Sequence, residues 1–162
     1  MGEPRPPLRV DRQLRALQLA KDCAALGARV RTIGHLTGLP PRELLRLLFP
    51  DREHVPRGRP PDSPEWYHGA NLLYRAEASI VVALYRRLRD GGFAAAEALV
   101  AAYRNYGSIC EPPQRISFDR AFDLRVRDDS AGRGQFNQST GYQYGWLVPH
   151  NLSTLIAKRG GV

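Results

Sequence analysis

The residues best suited to chemistry in this sequence are arginines, and the chemistry they suit is the binding of a polyanion. Arg42 and Arg46 stand four apart, so on a helix they share one face, with Glu43 beside them. A guanidinium can bond guanine through two acceptors or grip a phosphate, which makes Arg42 and Arg46 candidate base readers. Arg29, Arg31, His35 and Thr37 lie a few residues upstream and could face out with them as DNA contacts, Arg29 and Arg31 on phosphates. Arg52, Arg57 and Arg59 lie a few downstream, where they could hold phosphates beside the groove; a solvated linker would carry the same residues. Enzyme chemistry is not indicated. His35, His54, His68 and His150 are scattered, with no carboxylate or nucleophile at motif spacing, and neither a glycine-rich phosphate loop nor a nucleophile elbow occurs. Asp119, Asp123, Asp128 and Asp129 read as solvated charges near helix ends. No catalytic residue is assigned.

The element that must position these arginines is 26–50, LGARVRTIGHLTGLPPRELLRLLFP, which predicts two short helices joined by a turn. The first helix is expected over 28–37. Gly38 then makes the turn, because glycine alone takes a positive φ at little steric cost. Leu39 points back into the angle between the helices. The second helix opens at Pro40-Pro41, where a first-turn proline loses no hydrogen bond, and ends at Phe49-Pro50. Ile33, Leu36, Leu39, Leu44, Leu47 and Leu48 are expected inward, with Gly34 small where the helices cross. Such an arrangement is a helix-turn-helix, whose second helix enters the major groove while the first crosses the phosphates. A plain helical hairpin with a solvated basic face has the same pattern.

Charge distribution agrees with a nucleic-acid partner. Of 162 residues, 24 are basic and 16 acidic, and only two of the basic ones are lysines. Residues 1–60 hold 12 basic against 6 acidic side chains, whereas 61–110 hold 5 and 5, and 111–162 hold 7 and 5. The excess therefore lies on the half that carries the arginine face. Cys23 and Cys110 are far apart, lack zinc-ligand spacing and read as small buried hydrophobes in a reducing cytoplasm. No apolar run has the length of a membrane span, so a cytoplasmic protein without a membrane partner is expected.

The rest of the chain reads as mainly α. Residues 1–10 are expected to be disordered, 11–129 to form a helical domain that includes the helix-turn-helix over 28–49, and 130–162 to form a small irregular or β-hairpin lobe. Within the helical domain, 11–26 carries two apolar lines, Leu14, Leu17 and Ala24 on one, and Leu19, Cys23, Leu26 and Val30 on the other. Two lines imply two neighbours, one of which could belong to a partner protein. Proline and arginine make the segment after Phe49 a surface loop. Ser63-Pro64-Glu65 is a helix start, and a long helix to Arg89 should bury Leu73, Ala76, Ile80, Leu84 and Leu88. Helices over 93–106 and 116–126 follow. In the tail, Tyr142, Tyr144 and Trp146 among amides could stack on single-stranded bases or simply cover a core.

Three stretches resemble FlhC, a subunit of the bacterial flagellar transcriptional activator. They are LQLAKDCAALGARVRTIGHLTGLPPRELLRLLF, SPEWYHGANLLYRAEASIVVALYRRLRDGGFAAAEALVAAYRNY and FDRAFDLRV. The resemblance spans 11–136 and is clearest at Leu26-Gly27-Ala28-Arg29, at Trp66 and at Ala101-Ala102-Tyr103-Arg104. It implies a DNA-binding activator that works as a hetero-oligomer with an FlhD-like subunit, binds double-stranded DNA upstream of flagellar operons and recruits RNA polymerase. It also implies a C-terminal zinc lobe with two Cys-x-x-Cys knuckles. Here the sequence departs from the family, because no cysteine follows Cys110. Asn137 and Thr140 stand where the first knuckle would place ligands, and His150 is the single candidate in the second. None replaces a thiolate, so no structural zinc and no other cofactor is expected. Two alternatives keep the resemblance but change the role. One is an FlhC-like regulator of other genes, such as those of conjugative transfer. The other is an interaction paralogue that pairs with the FlhD-like subunit without binding DNA.

Overall fold

The computed structural model describes residues 8–58 and 70–139, the last nine as backbone. Among these residues the chain is mainly helical, with six α-helices and no strand. It divides into two compact units between Gly58 and Arg59.

The first unit packs three helices against one another: α1 (Arg9–Ala25), α2 (Val30–Thr37) and α3 (Pro41–Leu48). Sequence dictates each boundary. Gly27, at φ 83°, ends α1, with its N–H on the Ala24 carbonyl at 3.0 Å and the Ala28 N–H on the Cys23 carbonyl at 3.0 Å. That pair of bonds satisfies carbonyls that a helix end leaves open. Gly38, at φ 73°, ends α2 and turns the chain through Leu39 and Pro40 into α3. The Thr37 hydroxyl tightens this turn, donating to the Ile33 carbonyl at 2.7 Å and accepting from the Leu39 N–H at 3.2 Å. Pro41 opens α3 where no hydrogen bond is lost. A Cβ on Gly34 would stand 3.5 Å from the Leu39 carbonyl and 3.9 Å from Leu44 Cδ1, so the turn passes in van der Waals contact. The core holds Ala20, Cys23, Ala28, Ile33, Leu44 and Phe49. After α3 comes a short 3-10 turn, Arg52–His54, capped by the Asp51 carboxylate on the Glu53 N–H at 3.1 Å.

The second unit packs α4 (Leu72–Asp90), α5 (Ala95–Ile109) and α6 (Phe118–Ser139). Ala78, Val81, Val82 and Tyr85 of α4 share its core with Leu99, Ala102 and Tyr106 of α5 and with Phe118, Ala121 and Leu124 of α6. A buried carboxylate ties the unit together. Glu77 accepts from the Tyr106 hydroxyl, from the Arg115 N–H at 2.9 Å and from the Arg115 guanidinium at 2.6 Å. The Tyr106 hydroxyl in turn accepts from the Ile116 N–H at 3.1 Å, which fixes the α5–α6 connection.

Several expectations need correction. Arg9 and Val10 are helical, not disordered. The helix containing Leu72 does not run from Ser63; Asn71 caps it, accepting from the Tyr74 N–H at 3.1 Å. Residues 59–69, with Arg59, Ser63, Trp66 and His68, lie outside the described residues. The buried face of α4 is also shifted. Leu73 is 55% exposed and Ala76, Ile80, Leu84 and Leu88 are half-buried, while Glu77, Ala78, Val81, Val82 and Tyr85 face the core. Leu47 is likewise exposed, at the edge of the α3 face that Leu44 buries. Helix α6 continues past Val126 to Ser139, where an irregular or hairpin lobe was expected from Ser130. Its aspartates do not end it at Val126, because they are partnered along the helix and on α4. Asp128 is buried against Arg86 at 2.5 Å, Asp129 meets Arg125 at 3.2 Å, and Asp123 meets Arg127 at 2.9 Å. Asp119 is buried as well. The rest of the tail, 140–162, with Thr140, Tyr142, Tyr144, Trp146 and His150, lies outside the described residues.

Candidate nucleic-acid interface

Helix α3 is the element that presents the candidate site. Leu44 is fully buried and Leu48 half-buried, so the opposite side of this eight-residue helix faces out. Arg42 and Arg46 are both exposed on that side, one turn apart, with Glu43 half-buried beside them. Glu43 lies in the first turn and Arg46 in the last, the placement that complements the helix dipole. On α2, Arg31 and His35 are exposed, again one turn apart, while Thr32 and Ile33 are buried behind them. Arg52 and Arg57 are exposed in the segment that follows α3.

Two candidates are otherwise occupied. Thr37 spends its hydroxyl on the turn, between the Ile33 carbonyl and the Leu39 N–H. Arg29 is half-buried at the N-cap of α2, and a Cβ on Gly58 would come within 3.3 Å of its Nη2. Its guanidinium thus lies against the chain as it leaves the unit, which gives Arg29 a role in closing that loop.

Basic residues that the sequence left unassigned are exposed in the same unit. Arg9, Arg12, Arg15 and Lys21 are all exposed on α1. The signal that points to them is the charge excess of 1–60. Within 8–58, nine exposed lysines and arginines face three exposed carboxylates, Asp11, Asp51 and Glu53. The second unit spends its charge differently. Arg86, Arg115, Arg125 and Arg127 each bond a carboxylate of the same unit. A positive surface with an arginine pair on a short, well-braced helix can hold phosphates and reach base edges.

A zinc knuckle does not fit this chain. Cys23 is sealed in the core of the first unit and Cys110 sits half-buried at the end of α5, its thiol pushed up by burial and by Glu77. No other thiol exists to bind a metal in the tail. Among the described residues, no group of three or more His, Cys, Asp or Glu side chains is placed to hold a metal ion, and no helix is long and apolar enough to cross a membrane. No model of a known protein family matches the chain, and no curated protein matches it either.

Proposed function

We propose that this chain is a DNA-binding transcriptional activator subunit of the FlhC kind, which pairs with an FlhD-like subunit and brings RNA polymerase to flagellar operons. The observation that supports it best is the exposed Arg42–Arg46 pair on α3, opposite buried Leu44 and immediately after the left-handed Gly38 turn. In this proposal α2, α3 and their turn act as a helix-turn-helix. Helix α3 enters the major groove, where Arg42 and Arg46 bond base edges and Glu43 accepts from a cytosine amino group. Helix α2 crosses the backbone, with Arg31 and His35 toward phosphates, and Arg52 and Arg57 extend that grip. In this proposal the protein works in the cytoplasm and needs no zinc.

Replacing Arg46 separates reading from gripping. Arg46→Ala should cost about 1–3 kcal/mol on the specific site and relax the sequence preference there, as loss of a base contact does. Fluorescence anisotropy with a promoter duplex and a random duplex gives both affinities. An equal loss on both would reduce Arg46 to a phosphate contact, and no loss on either would remove α3 from the interface.

A further inference from the structure

The outer line of α1 is left unused by DNA reading. Leu8 is 72% exposed, Val10 64% and Leu14 59%, and every residue from 8 to 15 is exposed. Val10, Leu14, Leu17, Lys21 and Ala24 follow one another at steps of four and three, the spacing by which two helices pair, with Val10, Leu14 and Lys21 exposed and Leu17 and Ala24 half-buried. Ala20 and Cys23, which anchor α1 in its own unit, lie on a different line. Two turns of helix without packing on any side are marginal in water, so this flank calls for a neighbour.

Charge and register identify the neighbour as a second copy. Two α1 helices running antiparallel about a two-fold axis between Arg15 and Ala16 bring Leu14 of each onto Leu17 of the other. Val10 then meets the stem of Lys21, and the Lys21 ammonium reaches Asp11, the next residue along. Arg9, Arg12 and Arg15 fall outside the seam, so no like charges meet. A parallel pair would set Lys21 on Lys21. We propose that this chain self-associates through α1, antiparallel, by Val10, Leu14 and Leu17, with Lys21 of each copy on Asp11 of the other. The interface is isologous, each patch meeting itself. The patch is short, below the ~1,200 Å² of a stable pair, so the dimer is a weak one. It stands independently of DNA reading.

Sedimentation equilibrium of the full chain, from micromolar to near-millimolar concentration, tests it. The natural chain should show a monomer–dimer equilibrium, and Leu14→Asp should be monomeric throughout. Lys21→Glu and Asp11→Lys alone should each weaken the dimer about tenfold, because symmetry repeats each like-charge meeting twice. Together they should restore it to within about threefold of the natural chain, by the same charge-pair rule. All three positions are exposed, so circular dichroism should show every variant folded. A natural chain that stays monomeric overturns the proposal. So does a dimer indifferent to Leu14→Asp, or a double swap no better than the single ones.

Discussion

Removing the Glu77 carboxylate should damage the second unit more than any other single polar change, by an amount that its partners set. Glu77 is 7% exposed and accepts from three donors: the Tyr106 hydroxyl, the Arg115 N–H and the Arg115 guanidinium. Glu77→Ala strands the first two in the protein, and a buried donor left without a partner costs about 1–3 kcal/mol. The guanidinium adds little, since its side chain is 39% exposed and water replaces the lost carboxylate. The expected loss is therefore about 3 kcal/mol at neutral pH. Burial by itself raises the Glu77 pKa, but the bonds from Tyr106 and Arg115 outweigh it and hold the carboxyl below its ordinary 4.5. A depressed folded pKa means stability that is complete above pH 4.5 and drains as pH falls through the folded value. Urea unfolding followed by circular dichroism and tyrosine fluorescence, at pH 7 and in steps below 4.5, measures both effects. The gap between the natural chain and Glu77→Ala should narrow as the carboxyl protonates. A loss under about 1 kcal/mol at pH 7, or a gap that does not narrow in acid, would refute the assignment of Glu77 as the tie between α4 and the α5–α6 connection.

Tyr85 offers the opposite sign. Burial first, then its bond to Asp129 at 2.9 Å, push the phenol up to about 12. Its contribution is present below pH 10 and is lost as pH rises toward about 12, so Tyr85→Phe should flatten stability in that window and cost about 1 kcal/mol at neutral pH, read by thermal melts. Gly38→Ala meets no atom within 4 Å of the new Cβ, so its cost is that of the left-handed backbone alone, about 1–2 kcal/mol in the same melts. A larger loss there would mean that the turn is packed more tightly than its surroundings allow.

The turn at Gly38 and the start of α3 were legible in the sequence because both are local: a glycine that must take positive φ, and a proline at a first helical position. Burial of Ile33 and Leu44 followed from spacing alone. Helix α4 was misread because it is apolar nearly all round, and Glu77 made its true core face look solvated. Only Arg115 and Tyr106, 38 and 29 residues away, make that carboxylate acceptable inside. The length of α6 escaped for the same reason, since Asp128 and Asp129 end a helix by propensity but continue one when Arg86 and Tyr85 receive them. Local chemistry could not show either pairing. At the candidate interface, Arg42 and Arg46 were found by their spacing, whereas the occupation of Thr37 by the turn and the packing of Arg29 against Gly58 depend on backbone geometry that no spacing reveals. The outward line of α1 was visible as a second apolar stripe, but its exposure needed the fold.

The most direct test of the proposed function is a binding titration of the full chain, with an FlhD-like subunit, on a flagellar promoter duplex and on a random duplex at two salt concentrations. Phosphate contacts weaken steeply with salt and do so alike on any sequence, whereas base contacts do not depend on salt in that way. The predicted result is a promoter preference that survives at the higher salt and disappears when Arg42 and Arg46 are both replaced by alanine. Equal affinity for the two duplexes at both salts would contradict it.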